Sequence, residues 1–544
     1  MSQDVGAAEA DGAGVSGGGV TVRVTSAELA ADRDKVLPDL AAVAGKLADK
    51  DPTLWGHEAE PEASIRLGWV DLAATSRDLL PRLAKLSAEL QREGLDRVVL
   101  AGMGGSSLAP EVITRTAGVE LTVLDTTDPH QVRAALADRL DRTVVVVSSK
   151  SGGTVETDSH RRAFAQAFAD LGLTPEQVGR RFVAVTDPGS GLAEIAAAQG
   201  FREVFLADST VGGRYSALTA FGLVPSALAG VEVSQLLDDA GRVREALEGT
   251  SGNPGLELGA LLGGGGMAGR DKVVLVDSEF AGFGDWAEQL IAESTGKQGR
   301  GLLPVAAEGA DAPGTRSADV QLARLGDGAD VEGTVVTGPL GAQFLVWEYA
   351  VALAGRALGI NPFDQPNVAE SKENTQQILA AGLPDTTPAF TDGAVEVYGD
   401  VKGASTVAGA LDALLAAIPD RGYLAVMAYL DRFAEAEAAE LRRLLAARTD
   451  RAVTFGWGPR FLHSTGQYHK GGPQVGTYLQ VTGAVTEDLA VPGRDYSFGT
   501  LQAAQAAGDL KALAGRGRPV VRLHLTDRAD GLAQVLAAAR EGNG

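Results

Sequence analysis

No cysteine occurs among the 544 residues, which excludes a disulfide framework, thiol catalysis and Cys-ligated zinc, and suits a chain that lives in the reducing cytoplasm. Cations are scarce and scattered: 48 Lys plus Arg stand against 71 Asp plus Glu, a formal charge of −23, with no basic block. Nucleic acid and anionic membrane surfaces are therefore disfavoured as partners, because each needs a basic footprint. Any anionic ligand must be met locally. Long apolar runs are missing too: the longest uncharged stretch, Tyr215 to Val231, has 17 residues and carries Pro225, short of the roughly 18 to 20 apolar residues of a membrane span. It reads as a buried helix. Residues 1–20 are Gly/Ala-rich with early acids and no basic n-region, so they read as a disordered tail rather than a signal peptide.

What is present is an alternation of short β-branched runs with Ala/Leu-rich amphipathic stretches, the pattern of a parallel α/β architecture. RVVLAG, LTVLD, TVVVVSS, RFVAVTD and REVFLAD read as buried strands of one doubly wound unit. A second unit opens at DKVVLVDS and runs through TVVTGP and the helix of GAQFLVWEYAVALAGRALG. A Pro/Thr/Gly-rich stretch from Ala380 to about Gly403 reads as a linker. Beyond it, GYLAVMAYL, RAVTFGWG, GTYLQVTG and RPVVRLHL read as strands of a third α/β unit. The division that follows is a tail (1–20), a first unit with N-terminal helices (21–245), a second unit (246–400) and a C-terminal α/β segment (401–544).

Six places carry residues suited to chemistry. Gly104, Gly105 and Ser106 form a Gly/Ser loop between a strand and a helix, where backbone N–H groups and the helix dipole favour an anion; the same loop also serves as a tight packing turn. Ser149, Ser151, Thr154 and Thr157 follow another strand and could wrap phosphate oxygens with little positive charge, or cap a helix. Arg214 follows Gly212 and Gly213, placing a permanent cation after a flexible turn. Glu293 ends a helix before a Gly-containing turn, a setting for a carbon-acid base when desolvated. Gln365 and Lys372 occupy a turn and the helix after it. His463 and His469 share a Gly-rich loop and are suited to moving protons near neutral pH; no carboxylate at metal-site spacing accompanies them, so no metal is expected.

In this order the motifs resemble those of the glucose-6-phosphate isomerase family. GMGGSS is similar to its GIGGS loop, SKSGGTVET to its phosphate loop, VGGRYSALTAFG to its Gly-Gly-Arg signature, AEQLIAESTGK to the segment of its catalytic Glu, and FDQPNVAESK to the segment of its Gln and Lys. One departure stands out: that family carries its ring-opening His between the Glu and Lys segments, and here no His occurs between Glu293 and Lys372. HSTGQYHK, residues 463–470, is the nearest likeness and lies after the Lys segment, an order that resembles the isomerase part of bacterial transaldolase/glucose-6-phosphate isomerase fusions. His469 is the preferred equivalent, since Gly466, Gln467 and His469 keep the family's order, with His463 second.

The resemblance implies two sugar-isomerase (SIS)-type doubly wound domains plus a further C-terminal α/β segment. It implies a cytoplasmic homodimer without cofactor that interconverts glucose 6-phosphate and fructose 6-phosphate through a cis-enediol, in glycolysis and gluconeogenesis. The substrate phosphate would rest on Ser106, Ser149, Ser151, Thr154 and Thr157, with Gly104, Gly105 and Gly213 lining the approach. A loop His with Lys372 would open the ring, Glu293 would carry the proton between C2 and C1, Arg214 would stabilise the enediolate and Gln365 would hold hydroxyls. Two other readings share these residues: an isomerase that also accepts mannose 6-phosphate, and a non-catalytic sugar-phosphate-binding SIS protein.

Overall fold

The computed structural model describes residues 14–326 and 332–541. Three sheets organise them. An N-terminal hairpin, β1 (Val15–Gly17) and β2 (Val20–Val24), is followed by helices and then by the five strands of the first sheet. These are β3 (Arg97–Gly102), β4 (Thr122–Leu124), β5 (Thr143–Ser148), β6 (Phe182–Thr186) and β7 (Glu203–Leu206). Their order is β4-β3-β5-β6-β7 and every pairing is parallel. Strands β3 and β5 are buried on both faces, which is why their sequences run apolar without alternation. Because the chain leaves β3 for β4 and returns to β5 on the other side, the order reverses between β3 and β5. In open α/β sheets that reversal opens a crevice at the carboxyl ends of the strands, where the Gly104 and Ser149 loops lie.

The second sheet contains β8 (Lys272–Asp277), β9 (Leu303–Ala307), β10 (Val320–Leu325) and β11 (Thr334–Thr337). They are parallel in the order β9-β8-β10-β11, and the hairpin β2-β1 is added antiparallel to β11. The third sheet repeats this plan. A hairpin, β12 (Phe390–Asp392) and β13 (Val395–Gly399), adds antiparallel to the last of four parallel strands, β14 (Tyr423–Tyr429), β15 (Ala452–Trp457), β16 (Gly476–Gly483) and β17 (Val520–Leu525), which run in the order β15-β14-β16-β17.

These hairpins correct three expectations. Residues 15–20, expected in a disordered tail, form strand β1 and the start of β2; Val20 and Val22 are buried, and residues 21–24 pair the hairpin to β11. Residues 1–13 of that expected tail lie outside the described residues. The hairpin also joins the second sheet, not the unit that follows it in the chain. Residues 390–399, expected within a linker, form β12 and β13, because the alternating Val395 and Val397 are buried against β17. The helix expected within Tyr215 to Val231 spans Ala220–Leu228 and is largely buried.

The third sheet is held to the other two by an apolar layer and by buried charges. Val274 and Leu303 of the second sheet share a core with Tyr423, Met427 and Tyr478 of the third. Toward the first sheet, Arg460 meets Glu111 at 2.6 Å and Asp125 at 3.3 Å, Arg432 meets Glu111 at 2.9 Å, and Arg528 meets Asp128 at 2.7 Å. Removing one partner of such a buried pair strands a charge at a cost of about 3–5 kcal/mol. The docking therefore has one geometry.

Candidate active site

Three chain segments meet at the end of β3, and glycine is what lets them approach. Gly104 has φ +55°, and a Cβ on it would lie 2.8 Å from both Gln289 Nε2 and the His463 carbonyl oxygen. A Cβ on Gly105 would come within 2.0 Å of the Gly213 carbonyl oxygen. Ser216 Oγ donates to the Gly105 carbonyl at 3.1 Å and fixes the same junction from the other side. Gly213 itself faces open space. Ser106, nearly buried, begins the turn into the Leu108–Ala117 helix.

At the end of β5 the chain coils through Ser149–Thr154 into the Val155–Asp170 helix. Ser149 Oγ lies 3.0 Å from Thr154 Oγ1 and accepts from Gly152 N at 3.1 Å, while Ser151 Oγ accepts from Gly153 N at 3.3 Å. Thr157 Oγ1 is buried without a partner. Hydroxyls and a helix N-terminus thus converge on one spot, a combination that favours phosphate oxygens. Lys150 is not part of it: its ammonium donates to the Val211 carbonyl at 2.7 Å and pairs with Asp187 at 3.1 Å.

Facing these loops, the Phe283–Thr295 helix presents Glu293, 4% exposed. Burial raises its pKa above the usual carboxylate range, and Arg214 and His463 only partly offset that effect. Arg214 organises this side of the site. Its Nη1 donates to Glu293 Oε2 at 3.3 Å and to Gln365 Oε1 at 2.8 Å, its Nε to Ser294 Oγ at 2.9 Å, and its Nη2 to the Pro362 and Asp364 carbonyls at 2.6 and 3.1 Å. Five acceptors for one guanidinium leave its plane no freedom. Beneath it, Lys297 donates to the Asn361 carbonyl at 2.8 Å and to Asp364 Oδ1 at 2.7 Å, and its own pKa is pushed down to about 7 by burial. It holds the turn that carries Gln365.

Across the cleft stands His463, with its Nε2 3.0 Å from Glu156 Oε1. Gln505 Nε2 donates to the same carboxylate oxygen at 2.7 Å. Burial alone would raise the Glu156 pKa, but the adjacent His463 imidazole wins and holds it at about 2. Gln289 bridges the two sides, donating from Nε2 to the His463 carbonyl at 2.9 Å and to Glu293 Oε1 at 3.3 Å. A cavity of about 130 Å³ joins His463 and Lys372 to Ser151, Thr154 and Glu156, so the hydroxyl loop, the imidazole and the ammonium share one space.

The two histidines lie in different surroundings. His469 is 3% exposed, both ring nitrogens lack partners, and the ring sits between Tyr423 and Tyr478 at centroid distances of 6.0 and 5.3 Å. Burial depresses its pKa to about 3. It is a core residue of the third unit, whereas His463 is the one that reaches the cleft. Glu156, Gln289, Lys297 and Gln505 carry roles the sequence reading did not assign. Gln289 was legible in principle, being one helical turn before Glu293; nothing in the chain order points to Gln505.

Glu156 also makes the site acid-sensitive in a defined window. Its folded pKa of about 2 lies below the ordinary 4.5, so its contribution to stability is present above pH 4.5 and is lost as the pH falls toward 2. Urea unfolding of the wild type should weaken more steeply across that interval than that of Glu156→Gln. Equal slopes would show that the carboxylate does not carry the effect.

An open α/β architecture thus places a hydroxyl-lined loop at a sheet's switch point, where anions are favoured, with a desolvated carboxylate opposite an imidazole. The Phosphoglucose isomerase family profile matches residues 89–263. That segment, about a third of the chain, is similar to the phosphoglucose isomerase family. It is 37% identical over 214 residues to the glucose-6-phosphate isomerase of Acaryochloris marina (37% of this chain, 40% of that one). Against the enzyme of the same name from Cyanothece sp. it is 32% identical over 286 residues (48% and 54%). The chain thus spans about half the length of these curated relatives. A glucose-6-phosphate isomerase structure from Chlamydia trachomatis superposes with a TM-score of 0.54 at 20% identity, covering 68% of this chain and 90% of that one; at that identity the likeness is one of fold. Among the described residues no helix is long and apolar enough to cross a membrane, and no group of three or more His, Asp or Glu could hold a metal ion.

Proposed function

We propose that this protein is a glucose-6-phosphate isomerase acting in glycolysis and gluconeogenesis, cytoplasmic and homodimeric, that needs no metal or organic cofactor. One observation carries the reading: the buried Glu293 carboxylate lies against Arg214 on one side of a cleft whose other side is the His463–Glu156 pair beside the hydroxyl loop.

The phosphate binds Ser106, Ser149, Ser151, Thr154 and Thr157 and anchors the end of the sugar remote from the reacting carbons, which supplies orientation. His463, held by Glu156 and assisted by Lys372, moves the proton between the ring oxygen and the anomeric hydroxyl, opening the ring. Glu293 then takes the proton from C2 and returns it to C1. Its raised pKa suits this double role, because a base too weakly basic could not remove a carbon-bound proton. Arg214 stabilises the enediolate oxygen as charge develops there, a role worth about 3–4 kcal/mol for a single well-placed donor. Gln365, fixed by Arg214, holds sugar hydroxyls.

A coupled assay for glucose 6-phosphate formed from fructose 6-phosphate, run with excess chelator, tests the reading. Chelator-resistant turnover is the expected result. A wild-type protein that binds fructose 6-phosphate without converting it would move the assignment to a sugar-phosphate-binding protein.

A further inference from the structure

A second cavity, of about 1100 Å³, lies in the third unit, away from the hydroxyl loop. Its apolar floor includes Leu414, Leu510 and Val521, and its rim carries Lys402, Lys511, Arg518 and Arg522 against a single carboxylate, Asp400. That balance is the reverse of the whole chain's −23. None of the four cations makes an ion pair with a carboxylate of the described residues. Arg518 is held by the Gln474 side-chain amide oxygen at 2.8 Å. Arg522 lies 4.0 Å over the Tyr398 ring and donates to Thr386 Oγ1 at 3.2 Å, while its buried Nε has no partner. Gathering like charges around one apolar space costs energy that a bound anion would recover. The volume is in the range of sites that enclose a ligand of drug size or larger.

We propose that this cavity binds an organic phosphate of the nucleotide class, a ring on the apolar floor with its phosphates among Lys402, Lys511, Arg518 and Arg522. Planar guanidinium groups and ammonium groups together suit several phosphate oxygens, and a floor of aliphatic side chains suits a ring. The site also shares two walls with the catalytic cleft. The Val368–Ala381 helix offers Lys372 to the cleft and Gln377, Ile378 and Ala381 to this cavity. The Phe498–Ala514 helix gives Gln505, which holds Glu156, to one and Leu510 and Lys511 to the other. An occupant here would therefore bear on both helices that position groups in the cleft.

The test uses the full chain and trinitrophenyl-ADP as a fluorescent probe, with inorganic phosphate in excess to occupy the hydroxyl loop. Saturable binding is expected, displaced by ADP, and weakened by about tenfold or more, equivalent to roughly 1.4 kcal/mol, in the variant carrying Lys402→Glu and Lys511→Glu. Both side chains are exposed, so this variant should fold. Ser149→Ala in the hydroxyl loop should leave the affinity unchanged, and hydrogen exchange of amides 376–381 should slow when ADP is present. No saturable binding up to ~1 mM, equal affinity in the charge-reversed variant, or loss of binding in Ser149→Ala would overturn the proposal.

Discussion

Glu293→Gln should lower turnover of fructose 6-phosphate by about 10²–10⁴-fold, the range that a positioned acid–base group contributes, while binding of the phosphorylated sugar stays close to that of the wild type. The substitution keeps the shape of the side chain and leaves one amide oxygen to accept from Arg214 Nη1 or Gln289 Nε2, which reach different oxygens of the carboxylate, but an amide cannot carry a proton between carbons. In the proposed function the phosphate is held by the Ser149–Thr157 segment of a different sheet, so its affinity should be insulated from the change. Isothermal titration with fructose 6-phosphate together with steady-state kinetics reads both quantities. Activity retained within about tenfold, roughly 1.4 kcal/mol of barrier, would remove Glu293 from the proton-transfer role.

The two histidines should separate just as sharply. His463→Ala removes the imidazole from the cleft and leaves Glu156 with Gln505 alone, so loss of ring opening by about 10²–10⁴-fold is expected. His469→Phe puts an apolar ring among Tyr423, Phe461 and Tyr478 in place of one that makes no hydrogen bond. Its activity should remain within about tenfold of the wild type, and its stability should change by no more than about 1.5 kcal/mol, as for volume-conserving core exchanges. Assay and thermal unfolding of the two variants decide the matter. The reverse order of effects would return the role to His469. A further consequence follows from Glu293, Arg214, Lys372 and His463 meeting within one chain. Mixing Glu293→Gln with His463→Ala protein should restore no activity even if the subunits exchange in a dimer, and recovery of turnover would show that His463 serves a partner's site.

The architecture was legible because its signals are local. Continuous apolar runs such as RVVLAG and TVVVVS mark strands covered on both faces, and the Gly/Ser loops after them mark strand ends where backbone donors collect. The hairpins were not legible. Five residues such as VTVRV alternate like many exposed segments, and only their pairing with β11 makes Val20 and Val22 core residues. Residues 390–399 were hidden in the same way by turn-forming neighbours.

By itself, the sequence determined that the chain is a set of parallel α/β units, that a hydroxyl-rich loop ends one central strand, and that Arg214, Glu293, Gln365 and Lys372 stand in segments that resemble isomerase motifs. Those properties depend on residue type and short spacing. Which histidine faces the cleft, and which groups hold it there, was decided by tertiary structure alone. His463 precedes the short Gly466–Gly471 helix and projects toward the first unit's Glu156, while that helix carries His469 back into the aromatic layer of the third. The direction of each ring depends on how a sheet built from residues 390–525 docks on two others through buried pairs such as Arg460–Glu111 and Arg528–Asp128. Such contacts join residues hundreds of positions apart, and no local pattern in the chain encodes them.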